Sequence, residues 1–353
     1  MLSQLEMDTP IIQAPMAGIS TPALAAAVCN AGALGSIGVG ATDASGAAKM
    51  MADLKGQTDR AFNVNVFAHA APTPDPARDK AWLDFLAPYF ADFGASPPKS
   101  LGVIYKSILE DDDMVRLLVA ERPAVVSFHF GLPDQDVILA LKQAGITLFA
   151  TATSPAEAQE VERAGIDAVI AQGIEAGGHR GMFDPTQPDD QLGTFALVRL
   201  LVRQCKIPVI AAGGIMDGAG IAAALKLGAM AAQLGTAFVS CPESAADDAY
   251  RAALTGEAAF HTRLTTLISG RPARALANRF TALEDAAKGQ VLPDYPIAYD
   301  AGKALHGSAK AKGEFGFGAQ WAGQGAPLSR AMPAAELVKT LMAEMKQASG
   351  QVL

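Results

Sequence analysis

Eight short apolar runs of strand length recur along the chain with alanine-rich stretches of helical character between them, and no other feature limits the possible folds so severely. The runs are residues 11–15, 34–37, 62–67, 124–128, 146–150, 168–171, 208–212 and 231–234. Stretches 22–31, 155–164 and 218–227 read as helices, each ending in an Ala-Gly or Leu-Gly-Ala step that suits a C-cap glycine. Eight parallel βα units close most economically into a barrel, so the expected fold is α/β, a TIM (β/α)8 barrel spanning residues 1–241. Two regions break the rhythm. Residues 71–123 form a long connection with Trp82, Phe85, Tyr89, Phe90 and the acidic run Asp111, Asp112, Asp113, expected as helical excursions at the barrel's edge with the acids on a solvated face. Residues 242–309 follow the eighth run, contain few strand formers, and are expected as a small helical domain on the substrate side; residues 310–353 return to the barrel.

Charge and composition narrow the partners. Lys plus Arg is 28 against 36 for Asp plus Glu, a net charge of -8, which argues against general affinity for nucleic acid or anionic membrane surfaces. Any anionic ligand must therefore be held by a local site. Cys29, Cys205 and Cys241 are far apart and form no CxxC pair, so neither a disulfide framework nor a thiolate metal site is expected, and a reducing cytoplasm fits. Residues 9–42 carry no charge, yet Pro10, Pro15 and Pro22 with Gly18, Gly32, Gly35, Gly38 and Gly40 cut them into strand, helix and strand rather than a membrane span. The first eight residues show no basic-then-apolar layout, so no export signal is expected.

In such a barrel, polar residues at the C-terminal ends of strands are the candidates for function. In Phe62-Asn63-Val64-Asn65, both asparagines share one face, and Asn65 lies nearer the strand end, where a buried amide needs a partner. Ser127 and His129 share a face at the next strand end. The densest segment runs Gln172-Gly173-Ile174-Glu175-Ala176-Gly177-Gly178-His179-Arg180-Gly181, a loop whose glycines let backbone approach a ligand. Glu175 and His179 straddle two glycines with no second histidine nearby, so zinc chemistry of the HExxH kind is not expected, and no metal is assigned. Gly213 and Gly214 after one run, and Gln233, Leu234, Gly235 and Thr236 after the next, supply bare N–H groups where a barrel holds phosphate. No GxGxxG follows a strand and no GxxxxGK[ST] occurs, which excludes a dinucleotide fingerprint and a P-loop. A phosphate-bearing cofactor in a barrel enzyme is what these residues indicate.

Taken in order, Gln13-Ala14-Pro15-Met16-Ala17-Gly18, Phe62-Asn63-Val64-Asn65, Ser127-Phe128-His129-Phe130-Gly131, the 172–181 loop, Ala211-Ala212-Gly213-Gly214, Gln233-Leu234-Gly235-Thr236 and Trp321-Ala322-Gly323-Gln324-Gly325 resemble the nitronate monooxygenase family, in its class I bacterial branch. That resemblance implies an FMN-dependent barrel enzyme that oxidises propionate 3-nitronate or other alkyl nitronates with O2, by one-electron transfer to the flavin, giving an aldehyde and nitrite. It implies that Met16, Ala17, Gly18, Asn65, Gln172, Gly177, Gly178, Gly213, Gly214, Gln233, Leu234, Gly235 and Thr236 hold FMN. His179 would face flavin and substrate with His129 close by, and Tyr295, Tyr299 and Lys303 would stand at the substrate entrance. Tyr299 and Lys303, four residues apart, share a face if helical, and a cation there suits a substrate carboxylate. A monomer or homodimer working on small molecules in the cytoplasm is expected. The rival reading is an NAD(P)H-dependent flavin reductase, for quinones or enoyl thioesters, on the same barrel.

Overall fold

In the computed structural model, which describes Leu5 and residues 7–350, the chain forms eleven strands. In chain order they are β1 (Ile11–Gln13), β2 (Gly35–Gly38), β3 (Phe62–Phe67), β4 (Val125–His129), β5 (Thr147–Ala152), β6 (Ala168–Gln172), β7 (Gly178–His179), β8 (Val209–Ala212), β9 (Ala231–Leu234), β10 (Thr262–Thr265) and β11 (Ala273–Leu276). Eight of them make one parallel sheet in the order β1-β9-β8-β6-β5-β4-β3-β2, and a parallel bridge between Ile12 and Leu34 joins its two edges. The sheet is thus the expected barrel. Part of the N-terminal stretch read for an export signal, residues 1–4 and 6, and residues 351–353 at the chain's end lie outside the described residues.

Alternation along each strand sorts the side chains between two cores. Val126, Phe128, Leu148, Ala150, Val169 and Ala171 point outward into the layer between barrel and helices. Val125, Phe149, Ala168, Ile170, Ile210 and Ala231 point inward and fill the barrel's lower part. Helices start on side-chain caps: Thr21 accepts from Leu24 N–H at 3.0 Å and Asp217 from Gly220 N–H at 2.8 Å. The helices Pro22–Asn30, Pro155–Arg163 and Gly218–Lys226 stop short of Gly32, Gly165 and Gly228, all at positive φ as their C-caps require. No described helix is long and apolar enough to cross a membrane.

The two irregular regions meet each other. Helix Pro76–Ala91 packs against helix Ile297–Lys310, and Trp82, Leu83, Leu86 and Phe90 share a core with Leu267, Ile268, Phe280, Ala301, Leu305 and Phe317. The aromatic residues placed by sequence at the barrel's edge are therefore part of the wall over one end of it. Asp111 is the N-cap of helix Asp112–Glu121, accepting from Met114 N–H at 3.2 Å, so the acidic run opens that helix. Residues 242–309 differ from the all-helical expectation: β10 and β11 pair antiparallel, and β11 pairs with β7. β10 and β11 are each only four residues long, and Ala-Arg-Ala-Leu in β11 has little intrinsic strand character; pairing supplies what propensity does not. Helix Ala334–Gly350 lies across helices Gly218–Lys226 and Pro22–Asn30 on the barrel's outside.

Candidate active site

At the C-terminal end of the barrel the inward positions turn polar. Asn65, His129, Thr151, Gln172 and Gln233, from β3, β4, β5, β6 and β9, all line one cleft of about 1300 Å³, its open mouth included. Their inward direction follows from strand period two, since each lies two residues beyond an inward neighbour such as Phe149 or Ile170. Pro15–Ala17, Ala176–His179, Gly213–Met216 and Gly235–Thr236 form the cleft's loops, and Tyr105, Phe130, Tyr250, Tyr295, Tyr299 and Trp321 its aromatic wall.

The glycine loops are locked together. A Cβ on Gly177 would lie 2.5 Å from the backbone nitrogen of Gly323, and one on Gly213 (φ 125) would lie 2.6 Å from Thr194 Oγ1. The Glu175 carboxylate accepts from Thr194 N–H and O–H at 2.8 Å each, so it closes the N-terminus of helix Thr194–Gln204 instead of facing the cleft. Among the described residues no hydrogen bond uses the N–H of Gly213, Gly214 or Gly235. Gln233 Oε1 is buried without a partner. An anion and a hydrogen-bond donor are what these groups lack.

His179 sits where four rings converge, its own ring centre 5.0 Å from that of Trp321, 5.3 Å from Tyr295, 5.6 Å from Phe130 and 5.9 Å from Tyr299. Its Nε2 is 2.8 Å from Ser269 Oγ, and no protein hydrogen bond reaches Nδ1 among the described residues. Burial holds its pKa well below the usual imidazole value, with His129, Arg271 and His69 pressing the same way, so the ring is neutral. His129 is pushed down to about 4, again by burial first. The buried Arg271 guanidinium lies 4.3 Å from the Phe130 ring centre and donates to the Met182 carbonyl. Phe130 itself has φ 79, a conformation rare for a bulky residue, which turns the chain sharply at the end of β4. Burial raises the phenols of Tyr295 and Tyr299, and moves Tyr105 up to about 12, so all three stay protonated at neutral pH.

Most of the residues singled out from sequence meet at this cleft: Met16, Ala17, Asn65, His129, Gln172, Gly177, Gly178, His179, Gly213, Gly214, Gln233, Gly235, Thr236, Tyr295 and Tyr299. Three do not line it. Gly18 (φ 80) shapes the turn in which Ile19 and Ser20 N–H bond to the Met16 carbonyl. Leu234 is buried with Ile11 and Ala237, and its carbonyl accepts from Ala14 N–H at 2.8 Å. Lys303 borders a neighbouring cavity of about 720 Å³ that shares Ile19, Tyr250 and Tyr299 with the cleft. Its ammonium stands 5.0 Å from the Tyr105 ring centre and 5.6 Å from that of Tyr299, with no ion pair among the described residues. Sequence reading missed Thr151, Ser269, Arg271 and Tyr105. Only Thr151 left a signal: extending the fifth run by two residues puts it inward beside His129.

A family model described as nitronate monooxygenase matches residues 1–344. The chain is 61% identical over 352 residues to a nitronate monooxygenase of Paraburkholderia phytofirmans, covering 100% of this chain and 96% of that one. It is 57% identical over 344 residues to a nitronate monooxygenase of Pseudomonas aeruginosa, covering 97% of each. Among solved structures it is similar to a nitroalkane oxidase from Streptomyces ansochromogenes, with a TM-score of 0.89, 41% identity and 99% coverage of both chains.

Proposed function

The chain belongs to the nitronate monooxygenase family, whose members are oxidoreductases, and from that premise we propose that it uses FMN to oxidise propionate 3-nitronate or other alkyl nitronates with dioxygen, releasing an aldehyde and nitrite. The observation that carries this reading is a neutral, wall-held His179 in the same cleft as glycine loops with unspent N–H groups.

The residues fit a flavin mononucleotide. Gly213, Gly214, Gly235 and Thr236 would take its phosphate, whose oxygens accept what those N–H groups offer. Gln233 Oε1, buried and unpartnered, would accept from the ring system, with Met16, Ala17, Asn65, Gln172, Gly177 and Gly178 around it. Gly18 and Leu234 support this cradle through backbone and packing. When bound, the flavin supplies the electron acceptor and returns electrons to dioxygen.

The chain's own groups orient the substrate and manage its charge. A nitronate is already deprotonated at carbon, so it needs a donor at the nitro oxygens more than a base. His179 is suited to be that donor. Ser269 Oγ lies within reach of two acceptors, His179 Nε2 at 2.8 Å and the Arg271 carbonyl at 3.2 Å. A hydroxyl turned to Nε2 leaves the imidazole proton on Nδ1, free to donate to a nitronate oxygen; turned to the carbonyl, it leaves Nδ1 bare, the form a neutral nitroalkane requires. Tyr295 and Tyr299, held protonated, offer further donors, and Lys303 near Tyr299 is a cation with no ion pair among the described residues, although Asp300 lies close enough to favour its charge. That arrangement favours a substrate with a far carboxylate.

The test is the visible absorbance of the purified protein, recorded without dioxygen before and after adding propionate 3-nitronate or NADH. A flavin spectrum changed by the nitronate is expected. Colourless protein overturns the cofactor, and a flavin bleached by NADH but unmoved by nitronate overturns the substrate in favour of the reductase chemistry.

A further inference from the structure

The backbone around His179 is rich in glycine, and its fixed course depends on what holds it. Gly177 and Gly178 precede it, Gly178 at φ 75, and Gly181 follows two residues on. Glycine gives the chain freedom that would let the imidazole swing away from any fixed geometry. The His179 carbonyl oxygen, however, accepts two side-chain hydrogen bonds, from Gln172 Nε2 at 3.0 Å and from His129 Nε2 at 3.2 Å. Gln172 is itself held, its Oε1 accepting from Gly181 N–H at 2.8 Å and its backbone carbonyl from buried Arg180 at 2.9 Å.

A carbonyl oxygen only accepts, so His129 carries a proton on Nε2. In a neutral ring Nδ1 is then bare, and it lies 3.1 Å from Thr151 Oγ1, whose hydroxyl is the donor it needs. Both nitrogens of His129 are thus committed to protein groups, and neither is left for a substrate. We infer that His129 is a positioning residue, locked by Thr151 as the Nε2–H tautomer, which with Gln172 clamps the His179 peptide so that the His179 ring stays in register with the cleft. The bond to Ser269 does the same for the ring itself. This inference rests on reading His179 as the substrate-facing group, and it removes His129 from the groups that exchange protons with substrate.

Two measurements test it, one of them independent of turnover. Two-bond proton–nitrogen correlation spectra of the protein with labelled imidazoles, taken without substrate and assigned by loss of the signal in His129→Gln, report which nitrogen of His129 bears the proton. The expected pattern at neutral pH is Nε2–H alone, and Thr151→Val is expected to admit the Nδ1–H form. An Nδ1–H or doubly protonated His129 in the unmodified protein overturns the proposal. Nitronate inactivity would leave that spectrum unchanged, so failure of the substrate reading is distinguishable. In kinetics, His129→Gln, whose amide can still donate near the Nε2 position, is expected to keep kcat within about threefold with the same pH profile, while His129→Leu falls by about ten- to a hundredfold, as loss of an orienting partner does. Equal losses in both variants overturn it.

Discussion

The imidazole of His179 owes its neutrality to its neighbours, since burial, Arg271 and two other histidines all oppose a charge there. Asparagine in its place keeps a polar group of smaller reach but cannot match the donor at the ring's far nitrogen. His179→Asn is expected to retain flavin, whose supports lie elsewhere in the cleft, while turnover drops roughly a hundredfold or more, the usual worth of a positioned proton donor or base. Flavin-to-protein ratio and steady-state rate measure the two halves separately. Lys303 predicts a different signature, because its ammonium borders the neighbouring cavity, near the rings of Tyr105 and Tyr299, where the proposed substrate's carboxylate would reach it. For Lys303→Met we expect KM to rise for propionate 3-nitronate with little change for an alkyl nitronate lacking a carboxylate; equal effects on both count against carboxylate recognition. At this scale, period-two alternation made Asn65 and His129 legible in the sequence, each sharing a strand face with a polar neighbour two residues earlier, while Gln172 stood out as the first residue of the glycine-rich loop after the sixth run. Thr151 escaped because the apolar run reads as ending at Ala150, one residue before it. Ser269, Arg271 and Tyr105 come from connections with no period, so only the folded chain brings Ser269 to His179, Arg271 to Phe130 and Tyr105 to Tyr299.

Among the elements, the loop after β6 decides whether the cleft exists at all. It interlocks with residues 321–325: Gln324 N–H bonds to the Glu175 carbonyl at 2.9 Å, Gly323 N–H to Thr236 Oγ1 at 3.0 Å, and Gly177 leaves no room for a Cβ against Gly323. Gly177→Ala is expected to cost about 1–3 kcal/mol through forced separation of the two loops. The barrel should persist, so the expected result is unchanged far-ultraviolet circular dichroism with a reduced flavin content; full flavin retention would refute the interlock. The glycine loops themselves were legible as part of the site from their order after two strands, and they line the cleft. The hairpin β10–β11 was not, since its strands are only four residues long and lie in a region of few strand formers, and they become strands by pairing with each other and with Gly178 and His179.

For the whole molecule, neutral buried histidines set a pH limit. His129 titrates near 6.5 in the unfolded chain and near 4 in the fold, and His69, His179 and His306 are lowered in the same direction. Between those values the unfolded state binds more protons, so stability falls as pH falls. Between roughly pH 7.5 and 5, His129 alone should remove about 2 kcal/mol, and His129→Gln should flatten the decline in melting temperature measured by calorimetry. Asp189 and Asp247, both held below the usual carboxylate range, extend the loss to lower pH with the same sign.

The sheet β10-β11-β7 has a kinetic meaning as well. Pairing of His179 with Ala273 makes the loop over the cleft a strand of a second sheet, anchored to residues far along the chain. A strand fastened on its edge has no hinge by which to lift. Traffic into the cleft is then expected to use its open mouth without lifting of this loop. Turnover is accordingly expected to be indifferent to added sucrose, where an enzyme that waits on a swinging cover slows in proportion to the viscosity of the medium.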